Sequence, residues 1–549
     1  MLEAPVGVSA HVDTFTRDHL PPPSTWPQMD YSVLPQLAAY PSQINCAAEL
    51  LDKQVARLGS RPLLYFGDQV WSYQDLREKA DRIANVLVED FNLQPGNRVL
   101  LRASNNPMLV ACWFAAVKAG AVVVATMPLL RWRELTYIAD KAEVGLAVCD
   151  ARLREEMELA LAESKTLQQL LFFNSDDPDS LEARMAAKPP RFEAVDTAAD
   201  DVCLIAFTSG TTGLPKGTMH FHRDVMAACD CFPRSTLKPR ADDIFCGSPP
   251  IAFTFGLGGL VLFPMRFGAS TALLERPAPE ALLETIHRYR ATILVTAPTA
   301  YRTMLSMAGK FDLSSLRKCV SAGEKLPLST FEAWRQVTGI RIIDGLGTTE
   351  MLHIFLSAAG DQIRPGASGK PIRGYQAQVV GENLEPLPAG EVGRLAVRGP
   401  TGCRYLADER QTSYVVDGWN LTGDAYSVDE DGYFWFQARA DDMIISSGYN
   451  ISGPEVEEAL LAHRAVEECA VVGAPDAQRG NIVKAFVVLR PGMEGDATLV
   501  QELQEFVKQR IAPYKYPRAI DFVDALPRTP TGKVQRAKLR QQELDRVGE

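Results

Sequence analysis

The chain has 549 residues, a formal net charge of −11 at pH 7, and 46 % hydrophobic residues. This length exceeds one ordinary core and predicts two or more domains, with enough apolar residues to fill them. The acidic balance argues against nucleic acid or a membrane surface as the main partner, so an anionic ligand needs a local positive pocket.

The first residues contain neither a basic region nor an apolar core, and no uncharged apolar run of membrane-spanning length follows. We therefore expect a cytoplasmic protein. The ten cysteines are scattered singly apart from Cys229 and Cys231, without the paired spacing of a zinc site. We expect reduced thiols, most of them buried.

The predicted elements of the first half alternate between helix and strand. Apolar residues recur at helical spacing over residues 75–90, an apolar strand-like stretch follows at 98–103, and the same order recurs over 112–125. This alternation indicates an α/β fold. From about Gly390 the sequence changes to short strands and turns, and then to a compact α+β stretch. We place a boundary near Arg439, which gives domains 1–438 and 439–549.

Residues 204–217, LIAFTSGTTGLPKG, run from an apolar strand into a loop of glycines, hydroxyls and one lysine. Such a loop brings backbone N–H groups, hydroxyl donors and positive charge to phosphate oxygens. It predicts a triphosphate site, with a flexible surface loop as the alternative. It is not a P-loop, because Gly217 follows the lysine where a P-loop has Ser or Thr. The predicted phosphate-binding residues are Thr208, Ser209, Gly210, Thr211, Thr212, Gly213 and Lys216.

This loop resembles the phosphate-binding signature of the adenylate-forming superfamily, which contains acyl-CoA and aryl-CoA synthetases, adenylation domains and beetle luciferase. Further motifs follow in the superfamily's order, and the resemblance covers residues from about 45 to 540. It implies a large N-terminal domain of α/β layers and a small mobile C-terminal domain. The motifs are SAGEKL (321–326), DGLGTTE (344–350), LTGD (421–424), a hinge-like segment near 441 and RTPTGKVQR (528–536).

The resemblance implies two half-reactions, in which a carboxylate attacks the α-phosphorus of ATP and coenzyme A then takes the acyl group. A carboxylate and a triphosphate repel each other, so the site needs positive charge and fixed geometry. The implied catalytic residues are Lys533, Glu350 and Thr208, with Glu350 holding Mg²⁺. An ordinary exposed lysine is the alternative for Lys533. The remaining implied ATP or AMP contacts are Ala322, Gly323, Glu324, Asp344, Gly345, Leu346, Gly347, Thr348, Thr349, Asp424 and Arg439.

Between the half-reactions, the superfamily's small domain rotates about a hinge residue, here Asp441, and opens a pantetheine tunnel beside Gly448. A solvated turn is the alternative for Asp441. Two departures from the pattern are Leu346, where an aromatic residue usually lies beside the adenine, and Ile445, where many relatives have lysine.

The acid is indicated by weaker motifs. The segment PPIAFTFGLGGLVLFPM (249–265) offers a flat apolar slot for an aromatic ring, with ordinary core as the alternative. GLGTTEMLHIFLS and APYKYPR resemble the benzoate-CoA and 2-aminobenzoate-CoA ligase branch, which implies a small aromatic carboxylic acid. We expect His353 to contact a substituent of the aromatic ring. The alternative is that its side chain only packs in the core. The implied pocket residues are Ala252, Phe253, Phe255, Gly256, Ala297, Ser321, Gly345, Gly347, Leu352 and His353.

A metal site at the two histidines is rejected, whereas the acceptor, turnover and the oligomeric state stay open. His220 and His222 lack a third ligand nearby in the sequence, so we reject zinc and expect a structural hydrogen bond from His222. The acceptor could be a carrier protein instead of CoA, and a nucleotide-binding relative without turnover is a further alternative. The oligomeric state is open, a homodimer included.

Overall fold

The computed structural model describes residues 7–208, 215–439, 442–446, 449–476, 479–511, 513–529 and 532–548. The chain divides into two compact units. The first unit consists of Met1–Ser209, Pro215–Ala377 and Val397–Asn420. The second consists of Gly210–Leu214, Gln378–Ala396 and Leu421–Glu549. The predicted mixed α/β class is confirmed, whereas the predicted boundary at Arg439 stays a prediction. Within the described residues, no helix combines the length and the apolar character needed to cross a bilayer.

Strands occur in both units. Within the described ranges they are, in chain order, β1 (Pro62–Phe66), β2 (Gln69–Ser72), β3 (Arg98–Arg102), β4 (Val122–Thr126), β5 (Leu146–Asp150), β6 (Gln169–Phe173), β7 (Val202–Thr208), β8 (Lys216–Phe221), β9 (Ile244–Gly247), β10 (Ser270–Ala272), β11 (Ile293–Thr296), β12 (Lys318–Ala322), β13 (Ile343–Gly347), β14 (Ile354–Ser357), β15 (Lys370–Pro371), β16 (Gln376–Val380), β17 (Gly393–Arg398), β18 (Val415–Val416), β19 (Trp419–Val428), β20 (Phe434–Arg439), β21 (Ile444–Ser446), β22 (Tyr449–Ile451), β23 (Val466–Asp476), β24 (Gly480–Leu489) and β25 (Ala519–Phe522).

Helices connect and cover these strands. The α-helices of the described ranges are α1 (Phe15–Asp18), α2 (Pro35–Ala38), α3 (Lys53–Leu58), α4 (Tyr73–Asn85), α5 (Pro107–Lys118), α6 (Trp132–Lys141), α7 (Arg154–Glu163), α8 (Leu181–Ala186), α9 (His222–Asp230), α10 (Thr254–Leu257), α11 (Phe263–Phe267), α12 (Pro279–Tyr289), α13 (Pro298–Leu305), α14 (Leu328–Thr338), α15 (Gln411–Tyr414), α16 (Gly453–Leu461), α17 (Ala497–Arg510) and α18 (Arg536–Gly548).

The first unit contains two large, mostly parallel sheets. One has the strand order β6-β5-β3-β4-β7-β8, and the other has the order β15-β14-β13-β12-β11-β9-β10-β1-β2. Every residue of β3 and β5 is buried, as expected for parallel strands covered on both faces. The nearly continuous apolar runs of the sequence therefore correspond to strands in the interiors of these sheets.

Local sequence signals explain where the predicted helix of residues 75–90 begins. The hydroxyl of Ser72 accepts from the backbone N–H of Asp75, and the Asp75 carboxylate accepts from the backbone N–H of Ser72. This reciprocal pair satisfies two N–H groups that the first helical turn leaves without partners. The helix α4 then continues into a π-helical segment, Val86–Asp90. The predicted helix is thus present, and its last turn is wider than an α-helix.

The second unit has its own core. Strands β23, β24 and β25 form a three-stranded sheet, and apolar residues of α16 and α17, such as Val456 and Leu503, are fully buried with it. Helix α16 begins directly after Ser452, whose hydroxyl caps the helix by accepting from the N–H of Glu455. The Glu455 carboxylate pairs with Lys515 at 2.7 Å, which ties α16 to the segment before β25.

All ten cysteines are free and buried in the structure, which confirms the expectation that most of them are buried.

Candidate active site

Most of the predicted site residues of the first unit lie at one edge of the nine-stranded sheet. Strands β9, β11, β12 and β13 are neighbours and run parallel, so their carboxyl ends meet at that edge. This is where open α/β sheets bind ligands. The predicted residues lie in or just after these strands. After β9 come Ala252, Phe253, Phe255 and Gly256, and after β11 comes Ala297. Strand β12 ends with Ser321 and Ala322 and is followed by Gly323 and Glu324, and β13 contains Asp344 to Gly347.

The predicted phosphate loop connects two paired strands. Strand β7 ends at Thr208 and β8 begins at Lys216, and these two residues are antiparallel partners. The loop is therefore a hairpin connection, unlike the strand-to-helix loop of P-loop proteins. The predicted contacts Ser209, Gly210, Thr211, Thr212 and Gly213 lie outside the described residues. The structure places both ends of the loop, Thr208 and Lys216, side by side.

The TTE segment forms the turn between β13 and β14. The hydroxyl of Thr348 accepts from the backbone N–H of Met351 at 3.2 Å, and the carbonyl of Thr349 accepts from the N–H of Leu352 at 3.1 Å. Leu352 has a φ of 68°, which is strained for a residue with a branched side chain. This turn reverses the chain, so that Glu350 and His353 both belong to the short connection.

Tyr405 joins the phosphate loop to this turn. Its O–H donates to Oε1 of Glu350 at 2.6 Å, and its oxygen lies 3.4 Å from Nζ of Lys216. The Lys216 ammonium also lies 4.9 Å from the centre of the Tyr405 ring. Burial, followed by the negative charge of Glu350, raises the pKa of Tyr405, so the phenol stays protonated and remains a donor.

The backbone near Tyr405 pairs with β8, which explains its position. Met219 N–H donates to the Arg404 carbonyl, Leu406 N–H donates to the Gly217 carbonyl, both at 2.8 Å, and Tyr405 is bridged to Thr218. Tyr405 therefore has a backbone anchor beside Lys216.

Tyr414 adds a second aromatic ring to this group. It packs edge-on against Tyr405 with ring centres 5.6 Å apart, and its hydroxyl lies 3.5 Å from the Thr348 hydroxyl. His220 holds the same turn from β8, since its Nε2 lies 2.9 Å from the Thr349 carbonyl. Burial lowers the pKa of His220 to about 4, so this ring is neutral and acts structurally.

Asp344 and Ser321 lie opposite each other on neighbouring strands of the same edge. Oδ1 of Asp344 and Oγ of Ser321 are buried, and neither makes a good hydrogen bond within the described part of the chain. Burial raises the pKa of Asp344 to about 7, against smaller effects of the Gly345 backbone and the nearby Ser321 hydroxyl. Both polar groups are in the region where the resemblance predicts adenine and ribose contacts.

His353 lies in an aromatic enclosure. Its ring centre is 4.4 Å from that of Phe263, 5.7 Å from that of Phe255 and 5.8 Å from that of Phe232. The side chain is 5 % exposed, and neither ring nitrogen makes a hydrogen bond of good geometry within the described part of the chain. Burial lowers the pKa of His353 to about 3, with the Phe255 backbone opposing slightly. The ring is therefore neutral and has unused hydrogen-bonding capacity.

Two glycines allow the close contacts around this histidine. A Cβ on Gly347 would lie 2.7 Å from the backbone carbonyl of His353, and a Cβ on Gly258 would clash with the His353 ring. Gly258 begins a π-helical segment, Gly258–Leu262, between α10 and α11. Such wide turns are frequent at functional sites. The glycine-rich character of both motifs is thus explained by the approach of His353 to the backbone.

Three predicted residues, Asp424, Arg439 and Lys533, belong to the second unit. Lys533 is exposed and follows Gly532, whose φ is 87°, in a tight turn where the Thr529 N–H donates to the Lys533 carbonyl at 2.8 Å. Asp424 is buried in β19 and is the antiparallel partner of Arg439 at the end of β20. The predicted hinge and tunnel residues, Asp441 and Gly448, lie outside the described residues.

Several residues of the site did not follow from the sequence. Tyr405 and Tyr414 lie outside the motifs that we used, and Phe232 is separated from His353 by more than a hundred residues. Asn105 is a further example, since its side chain holds the loop after β9 through the Pro249 carbonyl and the Ile251 N–H, at 2.9 and 2.8 Å. A usable signal existed only for Phe263, which is part of the aromatic segment 249–265.

Comparison with known proteins agrees with this geometry. The AMP-binding enzyme family matches residues 51–405, and the AMP-binding enzyme C-terminal domain matches residues 455–533. The benzoate–CoA ligase of Thauera aromatica is 36 % identical over 518 residues, covering 93 % of this chain and 98 % of that protein. The chain belongs to the AMP-binding, adenylate-forming enzyme family.

Two solved structures are also similar. The anthranilate CoA ligase AuaEII, solved with anthranoyl-AMP, gives a TM-score of 0.87 at 34 % identity, covering 92 % of this chain and 98 % of that chain. A benzoate CoA ligase from Burkholderia xenovorans LB400 gives 0.82 at 31 % identity, covering 90 % and 100 %. The predicted branch and the predicted enzyme class, an AMP-forming acid–thiol ligase, are confirmed. The individual site residues stay predictions.

Proposed function

We propose that the protein is an ATP-dependent aryl-CoA ligase whose preferred acid is 2-aminobenzoate. It would convert the acid and ATP to aryl-AMP and pyrophosphate, and then transfer the aryl group to the thiol of CoA with release of AMP. Benzoate is the substrate that this preference must be measured against, because relatives named for both acids are similar to the chain over most of its length.

The polar group of Lys216, Tyr405 and Glu350 supports the nucleotide part of the proposal. Glu350 is 8 % exposed and keeps its carboxylate oriented by the bond from Tyr405. A hard carboxylate oxygen at the edge where phosphates are expected fits Mg²⁺, which takes few protein ligands besides phosphate and water. Mg²⁺ bound there would neutralise charge on the triphosphate. Lys216 and the hydroxyls of Thr208 and Thr348 would hold phosphate oxygens in line for attack.

The aromatic enclosure of His353 is the observation that carries the choice of acid. Phe232, Phe255 and Phe263 surround a neutral imidazole whose nitrogens make no hydrogen bond of good geometry among the described residues. An unpaired buried polar group costs about 1–3 kcal/mol. An amino group on the bound ring could donate to the imidazole and remove that cost, whereas unsubstituted benzoate could not. This difference corresponds to a preference of roughly tenfold or more.

The second unit contributes Lys533 to the proposed mechanism. As the acid attacks, charge moves onto the α-phosphate, and an ammonium near both groups would stabilise that change. The exposed position of Lys533 at a tight turn leaves its side chain free of a fixed packing role. In the proposal, rotation about Asp441 removes Lys533 after adenylation and admits the CoA thiol beside Gly448.

A substrate panel tests the proposed activity. Purified protein would be given ATP, Mg²⁺ and CoA with benzoate, 2-aminobenzoate, hydroxybenzoates or short fatty acids, and acyl-CoA and AMP would be measured. We expect 2-aminobenzoate to give the highest kcat/KM, with benzoate next. A preference for an aliphatic acid, or release of ADP instead of AMP, would contradict the proposal. A parallel assay with a phosphopantetheinyl carrier protein decides the acceptor.

Substitution of Lys533 separates the two half-reactions. We expect Lys533→Ala to lower carboxylate-dependent exchange of pyrophosphate into ATP by about 100-fold or more. Thioester formation from supplied aryl-AMP should stay near the wild-type rate. Lys538, an exposed lysine in α18, provides the matched control, and Lys538→Ala should leave both steps unchanged. Equal loss of both steps in Lys533→Ala would refute the proposed role.

A further inference from the structure

Outside the candidate active site, two thiols and one imidazole from distant parts of the chain meet in the first unit. Cys46 precedes the helical segment Ala48–Asp52, Cys203 lies in β7, and His222 begins α9. One ligand atom from each residue lies within 4.8 Å of those of the other two, and all three side chains are buried. The sequence shows no third ligand near His222, but the fold brings these two cysteines beside it, because they are distant in sequence and adjacent in space.

The hydrogen bonds give the two thiols different properties. Nδ1 of His222 accepts from the backbone N–H of Cys46 at 3.1 Å, so this nitrogen carries the lone pair. The same nitrogen lies 3.3 Å from Sγ of Cys46 and can take its proton. Sγ of Cys203 instead donates to the carbonyl of His220 at 3.6 Å. Cys46 thus faces a base. Cys203 faces a carbonyl oxygen, which accepts a hydrogen bond without taking the proton, and the same thiol can donate to the Cys46 sulfur once that sulfur is ionised.

The ionisation of the two thiols follows this difference. Burial opposes ionisation of Cys46, but the hydrogen bond from Cys203 and the charge and hydrogen bond of His222 outweigh it and lower its pKa to about 6. Burial and the adjacent Cys46 sulfur raise the pKa of Cys203 well above its usual value. Since the thiolate is the nucleophilic form, Cys46 is the more reactive of the two.

We propose that Cys46 and Cys203 are a peroxide-sensitive thiol pair, in which Cys46 is oxidised first and Cys203 then forms a disulfide with it. In the first step His222 takes the Cys46 proton, the thiolate attacks one oxygen of hydrogen peroxide, and the O–O bond breaks. The leaving hydroxide takes the proton from His222 and becomes water, and Cys46 becomes a sulfenic acid.

In the second step the Cys203 sulfur attacks the Cys46 sulfur. The S–O bond breaks, the hydroxyl leaves with the Cys203 proton as a second water, and a disulfide forms. Overall, two thiols lose two electrons to one peroxide, which is reduced to two waters. The sulfurs start at most 4.8 Å apart and must approach to about 2.05 Å, which side-chain rotation has to supply.

A metal ion is the competing use of the same three residues. The pair of sulfurs and one imidazole supplies three ligands, whereas a closed structural zinc site has four. The three residues therefore do not complete a closed structural site among the described residues, which favours thiol chemistry.

The experiment is peptide mapping of the native full-length protein after treatment with hydrogen peroxide. Free thiols would be alkylated in denaturant without reductant, and the digest would be analysed by mass spectrometry. We expect one cross-linked peptide pair, Cys46 with Cys203, which disappears on reduction. Its formation should be slower than oxidation of an exposed thiol because both sulfurs are buried. The zinc content of the untreated protein would be measured by elemental analysis.

Two variants make this experiment specific. Cys203→Ala should abolish the cross-link and leave Cys46 as a sulfenic acid that dimedone captures. Cys112→Ala removes another buried thiol, in α5, and should give the wild-type cross-link. Absence of the Cys46–Cys203 peptide from oxidised wild type would overturn the proposal. So would stoichiometric zinc that is lost in Cys46→Ala. These readouts use no acid, ATP or CoA, so they do not depend on the proposed ligase activity.

Discussion

The phosphate side and the aryl side of the candidate site differ in how their polar groups are satisfied. On the phosphate side, Lys216, Tyr405 and Glu350 already contact one another. On the aryl side, His353 is surrounded by aromatic rings, and its nitrogens make no hydrogen bond of good geometry among the described residues. Glu350 and His353 nevertheless belong to the same short turn.

This difference indicates that the two sides have different functions: the phosphate side stabilises charge, and the aryl side discriminates between acids. A mutually bonded polar group is preorganised, so it can stabilise charge on any bound triphosphate without reorganising. An unpaired buried imidazole discriminates between ligands, because a ligand that leaves it unpaired binds less well. We therefore expect substitutions on the phosphate side to affect turnover with every acid. Substitutions on the aryl side should change the ranking of the acids.

The largest effect is expected from Glu350→Gln. The amide has nearly the same shape but lacks the charge, so carboxylate-dependent exchange of pyrophosphate into ATP should fall by about 100-fold or more with every acid. Exchange kinetics with 2-aminobenzoate and with benzoate measure this. Glu332, an exposed carboxylate in α14, gives the control Glu332→Gln, which should behave as wild type. A loss confined to one acid would contradict the expectation that the phosphate side acts on every acid alike.

A smaller effect of the same kind is expected from Tyr405→Phe. This variant keeps the ring but removes the hydroxyl between Lys216 and Glu350, and a hydrogen bond to a charged group is worth about 1.5–3 kcal/mol. We expect exchange to fall roughly tenfold or more, with part of the loss recovered at high Mg²⁺.

Tyr414→Phe is the matched control for this variant, because the Tyr414 hydroxyl lies 3.5 Å from the Thr348 hydroxyl, whereas the Tyr405 hydroxyl lies 2.6 Å from Glu350. It should lose less activity and show no altered Mg²⁺ requirement. Equal behaviour of the two tyrosine variants would mean that the hydroxyl of Tyr405 does not position Glu350.

On the aryl side, His353→Leu should alter selectivity. Removing the imidazole removes the group that an amino substituent would contact, so the ratio of kcat/KM for 2-aminobenzoate over benzoate should fall about tenfold. Benzoate turnover should change little. Phe232→Leu alters the same enclosure without a polar atom and should keep the wild-type ratio. A proportional loss for both acids in His353→Leu would assign the ring a packing role only.

The sequence predicted some residues of each side and missed others. Short contiguous motifs located Thr208, Lys216, Glu350 and His353, because each lies at or near the end of a strand whose apolar run is easily recognised. The α/β class and the family followed from the same motifs.

Contacts between distant segments could not be predicted in this way. Tyr405 reaches Glu350 only because its backbone pairs with β8. Phe232, just after α9, contacts His353, in the turn before β14, only through tertiary packing. The same holds for Cys46 beside His222. Such pairings depend on tertiary structure and leave no local periodicity in the sequence.

The smallest effect concerns the dependence of stability on pH. The pKa of His353 is about 3 in the folded protein and 6.5 ordinarily, so between these values the unfolded chain binds one more proton. The neutral, buried state of His353 contributes fully to the free energy of unfolding above about pH 6.5. This contribution falls by about 1.4 kcal/mol per pH unit as the pH decreases towards 3. Urea unfolding of wild type and His353→Leu at pH 6.5 and pH 5 should therefore show wild type losing about 2 kcal/mol more than the variant. Other titrating groups, His220 among them, are common to both proteins and cancel in this difference. Parallel losses would mean that His353 is already paired in solution, and the contrast between a satisfied phosphate side and an unsatisfied aryl side would then fail.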